Sequence, residues 1–194
     1  QLQRLLSLDK RVKVFIVFIG SIGLQATRIS GTVPSQLGRL RNLTHVLMQD
    51  FHLSGTLPTQ LAGVTALEDL TLGLTQLSGT LPMAVLSEMP GLGALSLEST
   101  RLSGTLATQL GLLSALEELD LDTNPRLSGT IPSQLANLRE LTDLDLYNMS
   151  LSGSLPASVL HLCKPLGPQC TCQGLPPVGC SAFGPSSRLS LTSF

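Results

Sequence analysis

The sequence predicts an α/β repeat fold, in which short parallel strands stack one per turn into a single solenoid. One six-residue phrase, Leu-Ser-Gly-Thr-Leu-Pro or a close variant, recurs at Ile29, Leu53, Leu77, Leu102, Leu127 and Leu151. Successive copies lie 24 or 25 residues apart, and a fixed period of this length is typical of repeat proteins. Glycine and proline within the phrase predict a bend that returns the chain for its next turn.

A second pattern, Leu-x-x-Leu-x-Leu, precedes the phrase and predicts the strands. Its clearest copies are Leu67-Leu70-Leu72, Leu92-Leu95-Leu97, Leu116-Leu119-Leu121 and Leu141-Leu144-Leu146. The alternation of apolar and polar residues is that of a half-buried strand, and parallel strands stack about 4.8 Å apart. The central leucines are therefore expected to form one buried column, namely Leu70, Leu95, Leu119 and Leu144.

Together the two patterns give the unit LxxLxLxxNxLSGxIPxxLxxLxx, and over about residues 19–162 the chain resembles the plant-type leucine-rich repeat. This resemblance, to plant extracellular and protist surface proteins, implies a right-handed leucine-rich-repeat solenoid with a parallel β-sheet on its concave face. It implies about six repeats of 24 to 25 residues. It also implies a non-enzymatic protein that binds a protein partner through the concave face.

One column of the repeat departs from the plant-type pattern. The position that family members fill with a buried asparagine reads Thr27, Phe51, Thr75, Thr100, Asn124 and Met149. Threonine supplies one hydroxyl to neighbouring backbone, whereas phenylalanine and methionine supply no polar group. The threonines are similar to those in the repeats of protist surface proteins.

Three parts are predicted along the chain: an N-terminal cap at 1–18, the solenoid at 19–162, and a C-terminal cap and tail at 163–194. A solenoid exposes an apolar end unless a cap covers it. Basic residues followed by an apolar stretch also fit a signal peptide, so 12–26 is open between a cap and a signal-like segment. That stretch is shorter than the about 20 residues that span a bilayer, and no transmembrane span is expected.

The four cysteines all lie near the C-terminus, at Cys163, Cys170, Cys172 and Cys180. An even number clustered at one end predicts two disulfides in an oxidising compartment, with three pairings open. Zinc is disfavoured because the usual Cys-x-x-Cys spacing is absent. The run 163–166, Cys-Lys-Pro-Leu, resembles the C-terminal cap of plant-type repeat proteins. The predicted location is extracellular, at the cell surface, or in an oxidising organelle lumen.

Composition excludes some classes of function. The net charge of -1 implies no nucleic-acid partner, and neither a catalytic constellation nor a cofactor motif is evident, so we expect no enzyme and no cofactor. The chain has five phenylalanines, one tyrosine and no tryptophan. Because tight binding sites favour aromatic residues, this scarcity supports an alternative, a structural subunit of a larger assembly.

The predicted concave face becomes acidic toward its C-terminal turns. The outward position between paired leucines reads Gly23, Leu47, Thr71, Ser96, Asp120 and Asp145. The next outward position reads Gln25, Gln49, Gly73, Glu98, Asp122 and Tyr147. The predicted binding residues are Glu98, Glu117, Glu118, Asp120, Asp122, Asp143, Asp145 and Tyr147.

Carboxylates in neighbouring strands repel, and this crowding is expected to raise their pKa values. A basic partner would relieve the repulsion. One candidate is the N-terminal segment of another copy, which carries Arg4, Lys10, Arg11 and Lys13. Ca²⁺ is a second candidate, since it prefers oxygen ligands. The simpler alternative is that the charges only face water.

Two further surface features come from the repeats. Serine and threonine two residues apart form a ladder, Ser30/Thr32, Ser54/Thr56, Ser78/Thr80, Ser103/Thr105, Ser128/Thr130 and Ser152/Ser154. Such a ladder is compatible with an ice- or surface-binding protein, although its hydroxyls can also bond turn backbone. Two glycosylation sequons begin at Asn42 and Asn148.

Overall fold

The computed structural model describes residues 21–23, 30–49, 52–162 and 190–191. Its first sheet, the concave sheet, takes one strand from each turn in the order β1-β3-β5-β7-β9-β11-β13. Numbered along the chain, these strands are β1 (Ser21–Gly23), β3 (His45–Leu47), β5 (Asp69–Thr71), β7 (Ala94–Ser96), β9 (Glu118–Asp120), β11 (Asp143–Asp145) and β13 (Ser190–Leu191).

The strands β1 to β11 of this sheet are parallel and in register, as the repeat period predicts. The predicted column of leucines pairs across four strands and is 0–1% exposed at Leu70, Leu95, Leu119 and Leu144. The last strand, β13, is antiparallel, and its residue Leu191 pairs with Leu144. The predicted solenoid of parallel strands is therefore confirmed.

The recurring phrase forms a second parallel sheet, where we had predicted only a bend. Its strands are β2 (Ser30–Thr32), β4 (His52–Gly55), β6 (Gln76–Gly79), β8 (Arg101–Thr105), β10 (Arg126–Gly129) and β12 (Ser150–Leu151). The phrase glycine has a positive φ, 80° at Gly55, a conformation that glycine adopts without steric cost, and Gly55 still pairs with Leu77 of the next turn. A Cβ on Gly55 would lie 3.1 Å from the γ-methyl of Thr32. Close stacking of turns therefore requires glycine.

Short helices connect the phrase to the next concave strand. They are 3-10 helices at Ser35–Arg39, Thr59–Gly63, Thr108–Leu112, Ser133–Asn137 and Ala157–Leu162, and one α-helix at Met83–Leu86. The α-helix lies in the turn with an extra residue near Leu86, which allows Ser87 N–H to donate to the Met83 carbonyl at 3.0 Å. Among these described helices, none is long and apolar enough to cross a membrane.

In the part of the chain that the structure describes, the polar residues of the asparagine column, Thr75, Thr100 and Asn124, form buried hydrogen bonds. Asn124 is 0% exposed. Its side-chain amide donates to the carbonyls of Leu97, Leu121 and Asp122 at 2.9–3.0 Å. Its side-chain oxygen accepts a hydrogen bond from the Thr100 hydroxyl at 2.6 Å. One polar side chain thus joins backbone and side chains of neighbouring turns.

At the other described positions of that column, the side chain makes fewer hydrogen bonds than Asn124 does. Thr75 donates to the Leu72 carbonyl at 2.9 Å, and Met149 is buried without a polar side-chain group. Thr27 and Phe51 lie outside the described residues, as do the four cysteines, the predicted cap at 1–18 and the basic residues at 4, 10, 11 and 13.

Candidate binding surface

The register of the concave sheet brings most of the predicted acidic residues onto two neighbouring strands. Asp120 on β9 pairs with Asp145 on β11, and Glu118 pairs with Asp143 in the same two strands. Parallel pairing puts paired side chains on one face, about 4.8 Å apart. We define the anionic face as the carboxylates on these two strands and those immediately beside them, namely Glu98, Glu118, Asp120, Asp122, Asp143 and Asp145.

Three carboxylates in the centre of this face converge. Glu98, Asp120 and Asp122, the anionic cluster, are half-buried and each offers an oxygen within 4.8 Å of the others. Asp122 N–H donates to Asp120 Oδ1 at 3.1 Å, and in the next turn Tyr147 N–H donates to Asp145 Oδ1 at 2.9 Å. The repeat therefore holds both strand-end aspartates by the same backbone hydrogen bond.

Gly73 makes room for one member of the cluster. A Cβ at Gly73 would overlap the side chain of Glu98, whose Cγ lies over this glycine of the preceding turn. Gly73 occupies the same outward row as Glu98 in the sequence, but no role was predicted for it. The sequence did carry a signal for this role, because Gly73 is the one residue without a side chain in a row that otherwise has long or charged residues, and it directly precedes Glu98 in that row.

Burial and neighbouring charge perturb the centre of the cluster. The pKa of Asp120 is raised to about 7, chiefly because burial disfavours its charged form. The charges of Asp122, Glu98 and Asp145 also raise it, whereas the hydrogen bond from Asp122 N–H lowers it. Like-charge crowding therefore raises the pKa of Asp120 in the direction we predicted. Desolvation, which we did not predict, is the larger cause of the shift.

The remaining predicted binding residues lie around this centre. Glu117 and Glu118 are exposed, and Tyr147 is half-buried at the end of its row. The Glu117 carbonyl accepts a hydrogen bond from the Thr142 hydroxyl at 3.1 Å, which ties two turns together. Ca²⁺ takes six to eight oxygen ligands, and with one converging oxygen from each residue the anionic cluster offers three.

The serine hydroxyls of the second sheet bond backbone. They donate to glycine carbonyls of the preceding turn at 3.1–3.3 Å, from Ser54, Ser78, Ser103, Ser128 and Ser152. The threonines of the same phrase are exposed instead, at Thr32, Thr56, Thr80, Thr105 and Thr130. Their γ-methyl groups pack against the glycine of the following turn. Within the predicted ladder, the threonines are therefore exposed to solvent, whereas the serine hydroxyls are used in hydrogen bonds between turns.

The two sequon asparagines are both exposed. Asn42 lies before β3, and Asn148 has a left-handed backbone with φ 53° just after the anionic face. Asparagine tolerates this conformation better than most residues. Glycosylation at these two positions stays a prediction.

Comparisons with known proteins agree on the fold. Residues 115–138 match the Leucine Rich Repeat family. The structure of the plant peptide hormone receptor RGFR1 in complex with RGF2 is 32% identical, with a TM-score of 0.66 over 70% of this chain and 22% of that chain. The BIR2 ectodomain from Arabidopsis thaliana is 32% identical, with a TM-score of 0.57 over 61% of this chain and 60% of that chain.

A plant ice-binding protein is also similar, at 28% identity and a TM-score of 0.70 over 78% of this chain and 50% of that chain. The chain therefore spans between about a fifth and three fifths of these three relatives. No curated protein matches the chain in sequence. With its paired parallel sheets and its repeated phrase, the chain is a leucine-rich-repeat protein of the plant type.

Proposed function

We propose that the chain is a non-enzymatic protein-interaction module that docks a basic segment of a partner protein on its anionic face. The observation that carries the proposal is the convergence of Glu98, Asp120 and Asp122 within 4.8 Å, beside Asp145 in the paired strand. The similarity to a receptor solved with its peptide hormone supports a protein partner. Similarity to the BIR2 ectodomain supports an extracellular location.

A lysine or arginine placed on this face would act in two ways. It would relieve repulsion among the carboxylates and would steer the partner during encounter. It would also favour the charged form of Asp120, whose pKa is raised to about 7 in the free protein. Affinity for a basic segment is therefore expected to increase as pH rises through about 7, because fewer protons then have to leave.

The double charge reversal Asp120→Lys/Asp122→Lys tests this proposal. We expect it to weaken binding of a lysine- and arginine-rich peptide, measured by fluorescence anisotropy, by on the order of tenfold or more. The dependence of affinity on salt should also become shallower. The matched control is Glu88→Lys/Glu140→Lys, which makes the same change in net charge at two exposed positions on connecting segments.

The pH dependence gives a second measurement on the same protein. Asp120→Asn should remove the rise in affinity near neutral pH while retaining part of the binding. Unchanged affinity and an unchanged salt slope in the double reversal would contradict docking on this face. Sedimentation of the free protein distinguishes a second copy as the partner, and a calcium titration of the same variants distinguishes a metal.

A second candidate function uses the other sheet. The exposed threonine column and the similarity to a plant ice-binding protein favour binding to ice. Each γ-methyl lies 3.0–3.2 Å from where a Cβ on the glycine of the next turn would be, so the threonine side chains are held in the same way in these five turns. A repeated, fixed set of hydroxyls is what binding to an ordered water lattice requires.

Thermal hysteresis measurements test this second candidate. We expect the wild-type protein to separate the melting and freezing temperatures of ice, and Thr80→Tyr/Thr105→Tyr to abolish the effect by interrupting the column. The control Thr59→Tyr/Thr108→Tyr places the same bulk at exposed threonines of two 3-10 helices and should keep it. A wild-type protein without hysteresis rules out ice binding.

A further inference from the structure

One row of the concave sheet changes from apolar to acidic along the solenoid. Register pairing links Leu47, Thr71, Ser96, Asp120 and Asp145 on successive strands. Leu47 is 40% exposed, and it is one of three large hydrophobic side chains that are exposed within the described ranges. An exposed leucine therefore lies in the same row as Asp120 and Asp145 of the anionic face.

The residues between Leu47 and Asp120 in this row have small side chains with little exposed surface. Ser96 is 7% exposed, Thr71 is half-buried, and Gly73 beside them is buried. Thr71 donates its hydroxyl to Asp69 Oδ1 at 2.8 Å, which satisfies it within its own strand. The row thus begins with an exposed apolar side chain, continues through small and largely buried side chains, and ends with two carboxylates.

We propose that the concave face binds an extended peptide that carries one apolar side chain and two basic side chains on the same side. The apolar side chain would pack on Leu47, and the basic ones would reach Asp120 and Asp145. This inference rests on the proposed function, because it uses the same anionic face. It goes further in stating which kind of peptide is selected and how it lies.

The spacing of the row sets the spacing in the peptide. Leu47 and Asp120 are three strands apart, or about 14 Å, and Asp145 lies about 19 Å from Leu47. An extended chain advances about 3.3 Å per residue, with alternate side chains on one side. Basic residues at the fourth and sixth positions from the apolar residue match these distances and share its side.

A peptide pair tests the inference directly. The probe has leucine at one position and lysine four and six positions away in an otherwise polar sequence, and its partner has serine in place of leucine. We expect Leu47→Ser to weaken binding of the leucine peptide by about fivefold to tenfold. It should leave both the serine peptide and the salt dependence unchanged. Leu112→Ser, at a 67% exposed leucine on a connecting helix, is the control.

The outcomes separate this inference from the proposed function. If Asp120→Lys/Asp122→Lys abolishes binding of both peptides while Leu47→Ser affects neither, docking of basic segments stands and the mixed peptide is refuted. A Leu47→Ser effect of equal size on both peptides also refutes it, because the leucine contact would then not be involved. Loss of binding in neither variant, or no binding to the wild-type protein, overturns both.

Discussion

Replacing Leu119 with alanine is expected to lower the free energy of unfolding by about 2–5 kcal/mol. Leu119 is 0% exposed and pairs in register with Leu95 on one side and Leu144 on the other. The truncation leaves a cavity between two turns whose backbone is fixed by sheet pairing, so the neighbours have little freedom to close it. Urea denaturation followed by circular dichroism measures the change.

The solenoid adds a second consequence at this position. Each turn is stabilised mainly by the interfaces with its neighbours, and Leu119 contributes to both interfaces of its turn. We therefore expect a broader unfolding transition as well as a lower midpoint. Leu112→Ala is the control, because a 67% exposed leucine should cost within about 0.5 kcal/mol. Equal effects of the two substitutions would show that the register is not the one described.

The concave sheet was predictable because two periods in the sequence combine. Alternation within Leu-x-x-Leu-x-Leu decides which side chains face inward, and the constant repeat length places equivalent residues on adjacent strands. Asp120 could therefore be placed beside Asp145 before the structure was known, and the register confirms that pairing. Local strand geometry and a constant repeat length are therefore enough to place these two residues side by side.

The second sheet was not predictable by the same reasoning. Most of its strands contain a glycine, and in five of the six turns a proline follows three residues after the phrase glycine. Both residues usually indicate a turn. The positive φ at Gly55 and the packing of Thr32 against it depend on the turn before. Contacts of this kind arise between repeats and leave no periodic mark within one repeat.

The centre of the candidate site was predictable only in outline. The sequence identified Glu98, Asp120 and Asp122 as outward residues, but their convergence depends on the space above Gly73. The main cause of the raised pKa of Asp120 is burial, and burial depends on how closely neighbouring turns pack. The charges that a sequence displays gave the correct direction of the pKa shift and one of its causes, but not the larger one.

Replacing Asn124 with leucine is expected to destabilise the protein by about 3 kcal/mol, since buried polar groups that lose their partner cost about 1–3 kcal/mol each. Leucine has nearly the same volume but neither donates nor accepts. It would leave the carbonyls of Leu97 and Leu121 without the amide and the Thr100 hydroxyl without its acceptor. Chemical denaturation at neutral pH measures the loss.

The same repeat position one turn later provides the control, because Met149 is buried there without a polar side-chain group. Met149→Leu should cost less than about 1.5 kcal/mol, so equal losses in both variants would mean that packing, and not hydrogen bonding, determines the effect. Asn124 also donates to the backbone carbonyl of Asp122, the residue whose carboxylate belongs to the anionic cluster. Asn124→Leu should therefore weaken binding of the basic peptide, whereas Met149→Leu should not. Binding is compared under conditions, including low urea, in which both variants are still folded.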